Sequence, residues 1–259
     1  MSIEKEFQCN LSKNKGCFIV IEGPDGAGKT LVSKNIVNIL NDYDYNAIYV
    51  NNPGMRTKVS SSIRDIVLNN HLSDFEYALL FSAGIINNLN EIIIPALLNN
   101  KIVVCDRYIR STYIYQYFYA KSNNESVMDY RRKRSLFDAL QNYINHIKKP
   151  DYEFVLQIDP EVAISRIKER GLKDDQFETK DVIMITTLCE AYKNESLPRC
   201  DNSIHINANN NLWSVISCIM SNLGITIKEK GEREYIKTKK KIKSDDSNDK
   251  EHEQFTIEF

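Results

Sequence analysis

CFIVIEGPDGAGKTLVSK, residues 17–34, sets an apolar run against a glycine-rich turn that ends in lysine and threonine. Gly23-Pro24-Asp25-Gly26-Ala27-Gly28-Lys29-Thr30 matches G-x-x-x-x-G-K-[ST]. In that pattern the glycines let backbone N–H groups converge on phosphate oxygens, the lysine reaches the β and γ phosphates, and the hydroxyl suits Mg²⁺. The apolar run before it reads as a buried strand and the stretch from Lys29 to about Leu40 as a helix. Gly23, Asp25, Gly26, Ala27, Gly28, Lys29, Thr30 and Leu31 are therefore the candidate ATP-binding residues. Asp25 is out of place in a general NTPase, where a carboxylate repels polyphosphate. It makes sense if it faces a hydroxyl on a second substrate, as in a small-molecule kinase.

Four further β-rich runs follow: 46–50, 101–106, 153–158 and 203–207. None alternates cleanly with polar residues, as expected for strands covered on both faces of a parallel sheet. Helical stretches lie between them. One opens on the capping-box pattern Ser73-Asp74-Phe75-Glu76 and is expected to bury Leu79, Leu80, Ile85, Ile86 and Leu89. Another opens on Asp159-Pro160-Glu161, an N-cap followed by proline. The alternation predicts an α/β fold, a doubly wound five-stranded parallel sheet flanked by helices.

The 259 residues are 42% hydrophobic and 27% charged, with net charge −1. That balance provides no global attraction to nucleic acid or to an anionic membrane. No stretch reaches the ~18 uninterrupted apolar residues of a membrane span. The polar start lacks the apolar segment of a signal peptide, and the six scattered cysteines form no CxxC pair. A cytoplasmic protein with reduced core thiols is expected (host cytoplasm, were the source a virus). Residues 1–15 read as a polar extension, 16–225 as the folded domain, and 226–259 as a charged, disordered tail whose partner, if it has one, is not named by its residues.

At the end of the third strand, Asp106-Arg107-Tyr108 falls where α/β folds bind ligands. Asp106 can serve Mg²⁺ or orient an attacking oxygen, and Arg107 can clamp a phosphate through paired N–H donors. With these residues in place, residues 16–224 resemble the thymidylate kinases. GPDGAGKT resembles the family's G-x-D-G-x-G-K-[ST] loop, and NNPGMRTKVSSSIRDIVL (51–68) its R-E-P-G-G-T…I-R…L segment. FEYALLFSAGIINNLNEIIIPALL (75–98) is similar to the helix written L-F-A-A-D-R, and DRYIRSTYIYQ (106–116) to D-R-Y-x-D-S-S-x-A-Y-Q. DPEVAISRIKERGLKDDQFE (159–178) resembles the stretch leading into a mobile lid.

The resemblance implies a transfer of the ATP γ-phosphate to dTMP or a close pyrimidine relative, with Mg²⁺, by a homodimer that makes precursors for dTTP. It places Lys29 and Thr30 on the ATP phosphates and Mg²⁺, Asp25 on the acceptor's 3′-hydroxyl, and Asp106 at the reaction centre. Arg64 and Arg107 face the acceptor's phosphate, near Pro53 and Ser111. Phe81 stacks on the base, Thr112 and Gln116 approach its edge, and Tyr115 excludes a ribose 2′-hydroxyl. Arg170 is the lid's catalytic cation, with Arg166 and Lys173 as neighbours.

Three segments depart from the pattern. Asn51-Asn52 replaces Arg-Glu, Gly84-Ile85 replaces Asp-Arg, and Gln176 replaces the arginine of D-R-x-E. Ile85 in particular is expected to alter the base pocket, with Arg56 or Arg110 as a displaced cation. Arg131, Arg132, Lys133 and Arg134 read as a solvated helix face, and the apolar helix ending in IIIPALL as a dimer face or a core helix. A deoxynucleoside kinase and a catalytically weak nucleotide-binding regulator remain as alternatives. The former would need a carboxylate base where Asn51-Asn52 stands.

Overall fold

The computed structural model describes residues 11–54, 56–118, 127–169, 179–193 and 203–227. Arg170, Lys173, Gln176 and the tail from residue 228 onward lie outside the described residues. Five strands, β1 (Cys17–Glu22), β2 (Ala47–Asn51), β3 (Ile102–Asp106), β4 (Tyr152–Gln157) and β5 (Ser203–Asn207), form one parallel sheet in the order β2-β3-β1-β4-β5. In register, Val20 of β1 faces Cys105 on one side and Glu153 on the other.

Side chains alternate across each strand, so the sheet has two cores. Ile19, Ile21, Val104, Phe154 and Leu156 point to one side. There they meet α1 (Lys29–Asp42) through Ile36 and Leu40, α6 (Pro160–Glu169) through Ala163 and Ile167, and α8 (Leu212–Asn222) through Ile216 and Ile219. Phe18, Val20, Val103 and Cys105 point to the other side. They meet the long helix α3 (Asp74–Leu98) through Ile85, Leu89, Ile93 and Ala96. Between these, α2 (Lys58–Asn69) follows β2 and α4 (Ile109–Tyr113) follows β3, continuing into a wide π-helical turn over Ile114–Phe118. Helices α5 (Val127–Ile147) and α7 (Thr179–Lys193) complete the layer through Phe137, Leu188 and Tyr192, which pack on Tyr113, Ile114 and Val155.

By length and composition α3 is apolar enough to cross a membrane, although Asn87, Asn88, Asn90 and Glu91 interrupt its apolar run. Its inner face packs on the sheet instead. The expected burial of Leu79 fails: it is 41% exposed, because the core-facing stripe runs through Ala78, Ile85 and Leu89. A wide turn over Leu89–Ile93 precedes Pro95, which has no N–H to give the helix. The capping box is real. Ser73 Oγ accepts from the Glu76 N–H, and the Glu76 carboxylate accepts from the Ser73 N–H at 2.8 Å. Ser73→Ala is expected to cost about 1 kcal/mol of stability, read by urea unfolding, without changing the ligand site.

Arg131 and Arg134 are exposed, as the solvated-face reading expects, and Arg134 pairs with Asp138; Lys133 departs from it, half-buried and 3.8 Å from Asp74 of α3.

Candidate active site

β1 and β3 are neighbours in the sheet, so the turn after Glu22 and the residues after Asp106 lie side by side at one edge. The loop from Gly23 closes over the start of α1. Gly28 takes φ 86° and gives the helix no side-chain cap, so the first-turn N–H groups of α1 are left for a ligand. Gly26 also has positive φ, and a Cβ there would sit 2.6 Å from the Ala163 carbonyl oxygen of α6. Larger residues cannot take that place.

Lys29 is buried, and its ammonium donates to the Pro24 carbonyl at 2.9 Å and lies 3.6 Å from Asp25. Burial, reinforced by the charge of Arg107, lowers its pKa from 10.5 to about 8, against the pull of Asp25 and Asp106. The sign follows directly. Below that value Lys29 is charged and attracts phosphate; above it the empty loop loses the charge, and binding must take up a proton. ATP affinity is thus expected to weaken between about pH 7 and 9, measured by calorimetry, with the weakening absent in Lys29→Met.

Asp106 ends β3 at the same edge. Its Oδ2 accepts from the Thr30 hydroxyl at 2.5 Å and the Tyr49 hydroxyl at 3.3 Å. Its Oδ1 is buried and has no hydrogen-bond partner. An orphaned carboxylate oxygen beside a P-loop hydroxyl is the donor set that a hard divalent cation takes, so Thr30 and Asp106 fit Mg²⁺.

Next to Asp106, Arg107 stands in a left-handed conformation, φ 68°. It is held there because its N–H donates to Ile21 O at 3.0 Å and its carbonyl accepts from Asn52 Nδ2 at 2.9 Å. The guanidinium donates to Asp25 and to Ser111 Oγ at 3.1 Å, and lies over the Tyr115 ring at 5.1 Å. Tyr115 donates to the other Asp25 oxygen at 3.0 Å. Burial acts against the Arg107 charge, but Tyr115, Asp25, Tyr192 and Asp106 outweigh it and raise its pKa. Asp25, Arg107 and Tyr115 thus form one cluster, 82 and 90 residues apart in the chain yet in contact.

Other sequence candidates are placed as follows. Arg64 on α2 donates to the Pro53 carbonyl at 3.4 Å, and burial lowers its pKa. Phe81 stacks on Tyr77 at 6.1 Å within the α2–α3 cluster of Ile63 and Val67. Ser111, Thr112 and Gln116 are buried, and Gln116 Oε1 has no partner. Leu31 is 46% exposed. Arg166 donates to the carbonyls of Ala208, Asn209 and Asn210, joining α6 to the loop after β5.

Ile85 lies in the core at 1% exposure, in one cluster with Val50, Tyr108 and Ile109, on the buried face that its place in the helix predicts. One expectation is corrected. Arg110 cannot serve as a displaced cation: its guanidinium pairs with Glu153 in the interior. Sequence reading also passed over Tyr49 and a buried amide chain. Asn88 Nδ2 donates to Asn52 Oδ1 at 2.5 Å, and Ser60 donates to Asn88 Oδ1 at 3.0 Å. The polar Asn51-Asn52 pair was the available signal, but it pointed only to a missing charge.

Comparison with known proteins agrees with this geometry. A family model described as thymidylate kinase matches residues 21–219. The thymidylate kinase of Acholeplasma laidlawii is 30% identical over 210 residues, covering 80% of this chain and 98% of that protein. That of Lactobacillus acidophilus is 30% identical over 218 residues, 81% of this chain and 94% of its own length. That of Mycoplasmoides gallisepticum is 35% identical over 161 residues, 61% and 70% of the two chains. With a phosphate loop, an Asp-Arg strand end and the Asp25 carboxylate assembled at one sheet edge, the chain belongs to the thymidylate kinase family.

Proposed function

We propose that this protein transfers the γ-phosphate of ATP to the 5′-phosphate of dTMP, giving dTDP and ADP. The observation that carries the reading is the Asp25–Arg107–Tyr115 cluster beside Lys29. A donor loop alone fits any NTPase. A carboxylate in that loop, turned to an arginine just past the end of β3 and a tyrosine in the turn after α4, supplies a second-substrate side.

In the reaction Lys29 holds the donor phosphates, and Arg107 draws the acceptor phosphate into line by its N–H donors. Asp25 accepts from the sugar 3′-hydroxyl, while Tyr115 closes the space at C2′. Thr30 and Asp106 are the residues that would hold Mg²⁺, and the ion would supply positive charge to offset that of the phosphates. The unpartnered Gln116 Oε1 is a suitable acceptor for a pyrimidine N3–H. Arg64 supports the acceptor side with Pro53, Ser111 and Thr112, and Phe81 supplies the aromatic face. Arg170 is assigned as the lid cation on its match to the family's lid segment, with Arg166 as its neighbour in sequence. No covalent enzyme intermediate is involved.

A cytoplasmic setting suits the buried free thiols Cys17, Cys105 and Cys189. Exposed Val59 and Ile66 on α2, with Phe75 and Leu79 on α3, suit a second copy as partner; light scattering after size exclusion is expected to give twice the chain mass.

The test is a coupled ADP-release assay with dTMP, dUMP, dCMP, dGMP and thymidine offered separately. Turnover greatest on dTMP is expected. Turnover on thymidine alone would make the protein a nucleoside kinase, and silence on every acceptor with ATP bound would overturn the enzyme reading.

A further inference from the structure

Glu22, the last residue of β1, has no part in the reaction above, and its side chain is wholly buried. Its carboxylate is ringed by donors. Oε1 accepts from the backbone N–H of Tyr108 at 2.7 Å and of Ser111 at 3.2 Å. Oε2 accepts from the Ser111 hydroxyl at 2.6 Å and the Tyr192 hydroxyl at 3.3 Å. Burial, then the nearby Glu153, raises its pKa, and Ser111, Tyr108 and Arg107 draw it down. Keeping an acid in this place is costly unless it orders something an apolar residue could not.

Ser111 shows what is ordered. A hydroxyl has one proton, and here it is given to Glu22, which leaves the oxygen lone pairs for Arg107 Nη1 at 3.1 Å. The chain Glu22–Ser111–Arg107 therefore holds the guanidinium by Nη1, while Nη2 meets Asp25. Tyr192 lies 2.9 Å from the same Ser111 oxygen and brings α7 into the group.

We infer that Glu22 is a positioning residue: acting through Ser111, it holds Arg107 in the pose that receives the acceptor phosphate, and Tyr192 joins α7 to that brace. The inference rests on the proposed function only for the identity of the acceptor.

Glu22→Gln tests it. The backbone donors keep the amide oxygen on their side, so the new NH₂ meets Ser111 and competes with Arg107 for its oxygen. The KM for dTMP is expected to rise about tenfold, with the KM for ATP within about twofold. The Arg107 Nε–H resonance, assigned with Arg107→Lys, is expected to shift or broaden in Glu22→Gln and Ser111→Ala alike. The double variant is expected to be no worse than the single ones. An unchanged Arg107 resonance, or equal rises in both KM values, would overturn the inference. If Glu22→Gln does not fold, Ser111→Ala reads the same link by the same resonance. Wild-type protein inactive on dTMP would remove the acceptor assignment, while the resonance would still decide the role of Glu22.

Discussion

Lys29→Met is expected to lower kcat by about a thousandfold or more while the protein stays folded, because one preorganised charge at a phosphoryl-transfer centre supplies an effect of that order. Methionine fills nearly the same volume in a site only 6% exposed, so no large cavity opens. The stability side has a definite sign. The native pKa near 8 lies below the ordinary 10.5, so the unfolded chain binds the Lys29 proton more tightly than the fold does. Stability from this group therefore rises with pH between those two values and is lowest below the native one. At neutral pH the methionine variant should thus melt no lower than the wild type. A fall in activity accompanied by a fall in melting temperature would mean that Lys29 supports the loop rather than the reaction.

Glu153→Ala is expected to be the most destabilising single change, at about 3–5 kcal/mol, read by urea unfolding. Glu153 and Arg110 are 5% and 4% exposed, and their two hydrogen bonds include one at 3.1 Å, with Ser203 also on the carboxylate. Solvent cannot screen the charge left behind. Burial alone would lower the Arg110 pKa, and the bonds and charge of Glu153 more than reverse this. Glu153 also faces Glu22 and raises its pKa, so its removal should ease one buried acid while stranding a buried cation. Replacing both partners, Arg110→Met with Glu153→Leu, is expected to recover most of the loss. Recovery would show the pair to be a packing unit and not a source of net stability.

These two residues also show where the sequence could be read and where it could not. The phosphate loop, the Asp106-Arg107 strand end and the Ser73 capping box were legible because a few adjacent residues determine each one. Asp25 was legible because a carboxylate among phosphates needs a reason. Arg110, three residues beyond Arg107, looked equally available to a phosphate. Only the placement of β4 beside β1 gives it Glu153, 43 residues away. Ile85 was legible as a core residue from the helical stripe it shares with Leu89; only the family resemblance made it a lost base contact. Glu22 was passed over as the polar end of an apolar strand. Its four donors come from two helices and a strand end that no local pattern brings together.

The strand order has a consequence for how the chain is made. β1 is synthesised first and lies at the centre, but its partners are β3 and β4, which end at Asp106 and Gln157. Every pairing in the sheet is parallel, so no hairpin can protect a strand as it emerges. During translation both edges of the most apolar strand must wait, one for about eighty residues and the other for about one hundred and thirty, or roughly 4–30 s at usual elongation rates. In that interval an open, apolar strand is a template for other chains. The yield of native protein should depend on growth temperature and on chaperone supply more than its final stability suggests.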